Sequence, residues 1–489
     1  MVQLFGFSDA QFLPEILSQS EHERRVCVNR VCMHLKSLAS RRSSSPELSQ
    51  AIPTIQRLAI DCPFPEIRAK FATLCEDIGV VPRKSPISYF LPSESILNIA
   101  DIPDGPLLHY FQDSFLLLGR LRHVDRVISM LPGFAVSYFN SYVALMHEEG
   151  PLPIHFRNYL AIMAAARHGC SYLVQCQESE FLINGGPIEW LTDPNAVPEK
   201  IHKLRLLNAY MSHQPWRIHP DMLPSDISIP ELVHAIVVMS TFQALSGLCF
   251  GFGICLENSD VPTPSNSIVE DTPTGADSPS LATILQTSLE DLLIQQQFSP
   301  PPDSDVDTVP EAATNADFSH YVGDVALHLQ YEDYNVKTDK PFYICDFDFK
   351  GQAYSLLARY WHENGAQLLE QEFDLIYQIT DRSVLGSVGE VDTGPIRRAI
   401  WHYIFRLFGA ENDAYNYQEV NIYLSRAIKL YIKKMSCHGH TVTSQNFQGI
   451  RNKLRPNEIA HVALLTMEAR RQATILFSLR ALRSKYHNA

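Results

Sequence analysis

The sequence is short of positive charge. Lys and Arg number 40 against 54 Asp and Glu, giving a net charge of −14. That argues against nonspecific nucleic-acid binding, which needs a basic surface. Cysteine is sparse as well. Ten are scattered over 489 residues with no CxxC pair, which speaks against a disulfide framework and fits free thiols in a reducing compartment. Strand-like alternation is scarce throughout. The stretch from Met1 to Ala10 has no basic segment followed by an apolar core, so no signal peptide is expected. From Leu232 to Leu256 there is no Asp, Glu, Lys or Arg, and the run is long enough to span a bilayer. It nevertheless contains His234, Ser240, Thr241, Gln243 and three glycines and lacks basic flanks. It reads as a buried core helix with a glycine-rich end, and no membrane insertion is expected.

What is present is globular: 45% hydrophobic and 19% charged residues. The length predicts two or three domains. Helical patterns recur with short Pro/Gly breaks, so the fold class reads as all-α. The first half gives helical segments over about Phe12–Leu38, Ile52–Ile78, Leu107–Leu131 and Val136–Glu149. Ser40 to Pro46 is a loop. From Glu257 to about Phe318 the chain is rich in Ser, Thr, Pro and Asp and nearly devoid of Lys and Arg. Such a segment cannot bury enough apolar surface to fold by itself. One island, Leu281 to Leu292, is read as a short docking helix. The domains are therefore 1–256, a linker over 257–318, and 319–489. In the last, Tyr354–Trp361, Leu368–Ile379, Pro395–Phe408, Glu419–Met435 and Asn457–Tyr486 are helical candidates.

The most informative stretch is Tyr159 to Val174. Pro153 suits a first helical turn. Phe156, Leu160 and Met163 share an apolar face, and Ala164 to Ala166 allow close approach by another helix. Gly169 is a helix stop, and a new helix begins near Cys170. A thiol at a helix start lies in a positive dipole that favours the thiolate. A buried, inert cysteine is the other reading.

Residues 161–174, Ala-Ile-Met-Ala-Ala-Ala-Arg-His-Gly-Cys-Ser-Tyr-Leu-Val, resemble the signature of the sestrins. Gly185-Gly186-x-x-Glu189-Trp190-Leu191, Pro198-Glu199-Lys200, His213-x-Pro215-Trp216, Phe250-Gly251-x-Gly253-Ile254, Arg397-Arg398-Ala399-Ile400-Trp401-x-Tyr403 and Glu468-Ala469-Arg470 follow in sestrin-like order. The resemblance covers about Ala59 to the C-terminus. It implies two alkylhydroperoxidase-like helical domains related by a pseudo-twofold and joined by a largely disordered linker.

It also implies sites. The related alkylhydroperoxidases use Cys-x-x-Cys-x3-His; the matching positions are Cys170, Leu173 and Gln177. Cys170 and Tyr172 keep the sestrin pattern, whereas Gln177 cannot titrate near neutral pH and cannot relay a proton. By the same resemblance a leucine-type pocket would use Glu458 for the ammonium and Arg397 for the carboxylate. Thr380, Ser383 and Thr393 would form a hydroxyl-bearing lid, with His461 on the face of Glu458. Arg451 stands where the family has a pocket-floor tryptophan. Asp413, Ser228 and Glu231 match the surface that contacts the GATOR complex, although Ala414 replaces a second aspartate. Cys437-His-Gly-His440 lacks the ordered four-ligand spacing of a metal site; no metal or cofactor is expected.

The resemblance therefore implies a cytoplasmic, also nuclear, stress- and amino-acid-responsive negative regulator of TOR signalling. It would bind GATOR subunits upstream of the Rag GTPases. A thiol-dependent alkylhydroperoxide reductase working through Cys170, weak at most, is one alternative; a non-catalytic scaffold is another.

Overall fold

The computed structural model describes residues 16–40, 46–82, 84, 86–257, 318–323, 331–335, 339, 341–379 and 392–487. Positions 258–317, with the Leu281–Leu292 island, lie outside the described residues, as do Thr380 and Ser383.

The fold is all-α. Its main helices are α1 Glu21–Ala39, α2 Pro46–Asp61, α3 Pro65–Asp77, α4 Pro106–Leu118, α5 His123–Ile128, α6 Pro132–Met146, α7 Ile154–Arg167, α8 Ser171–Ile183, α9 Arg205–His213 and α10 Ile229–Phe252. After the interruption come α11 Tyr354–Tyr360, α12 Glu363–Gln378, α13 Gly394–Leu407, α14 Glu419–Tyr423, α15 Arg426–Cys437, α16 Ser444–Arg451 and α17 Pro456–His487. A two-residue parallel pairing, Phe342–Tyr343 with Ala410–Glu411, is the sheet among the described residues.

Three expected segments are broken where backbone chemistry demands it. The helix expected over Ile52–Ile78 stops at Asp61 and restarts at Pro65, because Pro63 and Pro65 cannot donate the ladder hydrogen bonds. The segment expected over Leu107–Leu131 ends at Gly119, whose φ of +73° closes α4. The segment expected over Glu419–Met435 divides at Leu424, and Ser425 caps α15 through the Ile428 N–H.

The apolar run does become a core helix. α10 is long and apolar enough to cross a membrane, but 94% of its most apolar window is buried inside the fold. It packs against α7, α15 and α17. Gly247 is what lets α15 approach: a Cβ there would run into the Met435 carbonyl. One hydrophobic cluster runs from Cys27 in α1 to Leu482 in α17.

Polar ties cross between the two halves of the chain at this core. Arg470 Nη1 donates to Gln243 O at 2.9 Å, and Nη2 reaches Ser212 O at 3.3 Å. Tyr431 donates to Gly251 O at 3.1 Å. Arg471, Glu372, Glu468 and Ser141 form a fully buried polar cluster. Buried polar groups must be partnered, so these ties fix how the helices dock.

Candidate functional sites

Cys170 occupies the junction of α7 and α8. Gly169, at φ +69°, ends α7, and the Cys170 N–H returns to Ala165 O at 3.1 Å. Cys170 then stands at the N-cap of α8, 2% exposed. The Tyr172 and Leu173 N–H groups at the start of α8, with Ser246 and Cys249 of α10, bear on its sulfur; the Ser246 hydroxyl itself donates to Phe242 O at 2.7 Å. Burial pushes the thiol up, but these groups outweigh it and hold Cys170 below its ordinary value. Cys249, contributed by α10, is held well above by burial and by Cys170 itself. The expected helix-start environment is present, within a buried setting.

The proton relay is not restored by neighbours. Gln177 Oε1 accepts from Asn158 Nδ2 at 3.0 Å, and Gln177 Nε2 donates to Tyr142 Oη at 3.4 Å. His168 Nε2 faces Arg470 Nη2 at 3.0 Å. The Tyr172 hydroxyl is engaged away from Cys170. It donates to Glu257 Oε1 at 2.8 Å and accepts from the Val124 N–H at 3.1 Å.

Glu257 anchors a second buried group. Its Oε2 pairs with Arg120 Nη1 at 3.2 Å, and its Oε1 accepts from the His123 N–H at 3.2 Å. Cys176 Sγ lies 4.0 Å from the same Oε1. Burial pushes the carboxyl up, but Arg120, His123 and Arg57 together with the Tyr172 hydroxyl bring it down to about 2. The sequence places Glu257 at the first position of the linker, and nothing in its spacing announced this role. An isolated acid directly after a long uncharged run was the available signal.

In the C-terminal half, three predicted residues gather at the end of α12. Arg397 Nη1 donates to Ile379 O, and His461 Nε2 lies 3.2 Å from Ile376 O. Thr393 is buried, and its carbonyl accepts the Arg397 N–H at 3.1 Å. Arg397 is 8% exposed, and its Nε has no partner among the described residues. Glu458 is buried one turn before His461, and its Oε2 accepts the Arg455 N–H at 2.8 Å. Arg451 is the last residue of α16 and is exposed; among the described residues it forms no ion pair with Glu458. Thr380 and Ser383 lie outside the described residues.

The surface candidates divide. Ser228 and Glu231 form a reciprocal capping box at the start of α10, and Glu231 also pairs with Lys200. Asp413 is exposed on the turn after Glu411, where Asn412 Oδ1 accepts the Ala414 N–H at 3.0 Å. Cys437 is buried, and the His438 ring packs edge-on against Tyr331 with centroids 4.5 Å apart.

With this geometry in place, comparison with known proteins is informative. The profile of the family described as PA26 p53-induced protein (sestrin) matches residues 86–291 and 285–486. The chain is similar to a Sestrin homolog of Dictyostelium discoideum, 29% identical over 88% of this chain and 82% of that protein. It is similar to Sestrin-2 of Bos taurus, 32% identical over 81% of this chain and 92% of that one. Sestrin-2 of Homo sapiens is 31% identical over 81% of this chain and 90% of its own length.

Proposed function

Because the chain belongs to the PA26 p53-induced protein (sestrin) family, we propose that this sestrin-type, stress-responsive regulator restrains TOR-complex signalling. It acts by binding GATOR subunits upstream of the Rag GTPases, with free leucine or another amino acid as input. It works in the cytoplasm, with the nucleus as a second compartment. The observation that supports the amino-acid input is the meeting of Thr393, Arg397 and His461 at the end of α12. A buried guanidinium with a spare N–H suits a ligand carboxylate. Glu458, one turn from His461, suits the ammonium.

Affinity purification from amino-acid-starved and fed cells tests the reading. GATOR subunits are expected mainly on starvation. Equal recovery in both states overturns the amino-acid input, and no recovery in either overturns the partner.

A second reading, thiol peroxidase, is favoured by the place of Cys170 at the N-cap of α8. Gln177 opposes turnover, because an amide cannot shuttle the proton. A steady-state assay with an organic hydroperoxide separates the two readings: robust turnover lost in Cys170→Ser would favour the enzyme.

A further inference from the structure

A cavity of about 280 Å³ opens between α12, α13 and α17, beside Asn412. None of Thr393, Arg397, Glu458 and His461 lines it, so it is separate from the amino-acid pocket. Its wall is aromatic. Phe373 and Tyr377 stand one turn apart on α12. Each meets Trp401 of α13 nearly at right angles, with centroids 6.4 and 5.4 Å apart. Phe405, one turn after Trp401, adds a fourth ring 6.0 Å from it. We propose that this cavity binds a small free organic cation: a guanidinium on a short apolar stem, with no carboxylate.

The polar groups of the wall fit that ligand. Asp348, Glu370 and Asp374 line the cavity against one cation, Lys350. Lys350 Nζ pairs with Asp374 Oδ2 at 2.6 Å, and Asp348 Oδ1 accepts the Gly351 N–H at 3.1 Å. Glu370 forms no ion pair among the described residues, so a carboxylate is left over. An anion is thereby disfavoured. So is a free amino acid, because no cation remains to clamp its carboxylate. His402 also lines the cavity; it is 9% exposed, and its Nδ1 has no partner among the described residues. Its ring stacks on Tyr415 with centroids 4.0 Å apart. Burial first, then Arg398, brings it down to about 4, so the ring is neutral near pH 7. A neutral imidazole nitrogen accepts an N–H from a ligand. Arg398 itself is exposed and does not line the cavity.

A guanidinium answers all three kinds of group. It is flat and weakly hydrated, it stacks on ring faces, and it carries several N–H donors. It therefore serves the rings, a carboxylate and a neutral nitrogen together. A compact ammonium holds its water more tightly and has no face to stack. The fold already makes one such contact here, because the Arg471 guanidinium carbon lies 5.8 Å from the Phe373 centroid. The volume falls just below the roughly 300–1,000 Å³ of drug-sized sites, which limits the stem to a few carbons. The site does not depend on the leucine reading, and failure of that reading would leave it standing.

Isothermal titration of the full chain with butylguanidine is the test. Saturable binding is expected, with butylamine about fivefold weaker. Glu370→Gln keeps the shape of the side chain and should weaken butylguanidine about tenfold. Tyr377→Ala removes one ring and should weaken it about threefold or more. Saturating butylguanidine should leave a leucine titration unchanged. Absence of saturable heat at millimolar butylguanidine overturns the proposal. Equal affinity for butylamine overturns the guanidinium, and unchanged affinity in Glu370→Gln overturns the location. Competition by leucine would assign the ligand to the amino-acid pocket and overturn a separate site. A capped arginine amide that binds where butylguanidine does not would make the occupant a side chain of a protein partner, and the free ligand would be abandoned. If Tyr377→Ala misfolds, Glu370→Gln decides alone.

Discussion

Tyr172 and Glu257 are joined by a 2.8 Å hydrogen bond, at the point where Glu257 also neutralises Arg120. Glu257→Gln would leave the Arg120 guanidinium buried without a counter-charge, an expected loss of about 3–5 kcal/mol. The pH dependence has a definite sign. The carboxyl falls from an ordinary 4.5 to about 2 in the fold. Its stabilisation is present above the unfolded value and is lost as pH falls toward the folded one. Denaturant melts of parent and variant should therefore converge between pH 4.5 and 2. A gap that stays constant through that window would show that the charge is not what stabilises.

Buried histidines act in a higher window. Burial and Arg157 push His234 down to about 3, and its Nε2 lies 3.0 Å from Leu145 O. The fold holds the neutral ring while the unfolded chain takes a proton below about 6.5. Stability contributed by His234 thus declines as pH falls from about 6.5 toward 3, by about 1.4 kcal/mol per unit. His234→Gln keeps an N–H for Leu145 and removes the titration. Its melts should show a shallower pH slope by about one proton. An unchanged slope would assign the acid sensitivity to other groups.

These two residues mark what was and was not legible in the chain. The all-α class was, because Pro153, Gly169, Pro395 and Gly409 punctuate helices through local backbone rules. The charge-free run containing His234 was legible as a buried helix, since burial follows from composition. Gly119 was not read as a break, because apolar periodicity continued across it. Glu257 was invisible as a site residue. Its role depends on which distant side chains meet it, and it has no local pattern. Ser228 and Glu231 were matched to a partner surface, yet locally they read as a capping box, and that is one role they have.

The pocket yields a ligand prediction. Arg451 is exposed and forms no ion pair with Glu458, whose Oε2 accepts the Arg455 N–H, so Arg451 itself does not compete with a ligand ammonium. What is missing is the apolar wall that a tryptophan would supply, worth about 1–3 kcal/mol. Leucine should bind weakly, and Arg451→Trp should tighten it by roughly five- to two-hundredfold. Isothermal titration decides this. Tight binding by the parent that Arg451→Trp abolishes would refute the account.

Partner binding and helix capping can be separated. Ser228→Ala removes one half of the capping box and should cost about 1 kcal/mol in melts. Asp413 is exposed, and reversing it by Asp413→Lys should leave the melt within about 0.5 kcal/mol. If the turn is a partner contact, Asp413→Lys weakens GATOR recovery, because a like-for-unlike charge is placed at the surface. Cys170→Ser should leave it intact. Recovery by Asp413→Lys equal to the parent would reduce the turn to a solvated loop.

The cluster at the docking core of the two halves gives the opposite pH sign. Arg471 Nη1 lies 3.0 Å from Glu372 and 3.4 Å from Glu468, all three fully buried, and Ser141 donates to Glu372. One guanidinium faces two carboxyl groups. Burial first, and Glu372 second, push Glu468 well above its ordinary value, which favours its protonated form. A raised carboxyl value means that the fold binds a proton the unfolded chain releases. Stability from this group therefore declines as pH rises above about 4.5, by up to about 1.4 kcal/mol per unit, until the folded value is reached. Glu468→Gln keeps the shape of the side chain and has nothing to ionise. The variant should match the parent near pH 4.5 and become progressively more stable than it toward pH 8. Arg471→Met, by contrast, strands Glu372 without its cation and should cost about 3–5 kcal/mol. Denaturant melts at pH 5 and pH 8 test both. A Glu468→Gln variant that is equally destabilised at the two values would mean that Glu468 works as an ionised partner of Arg471, and its protonated form would have to be abandoned.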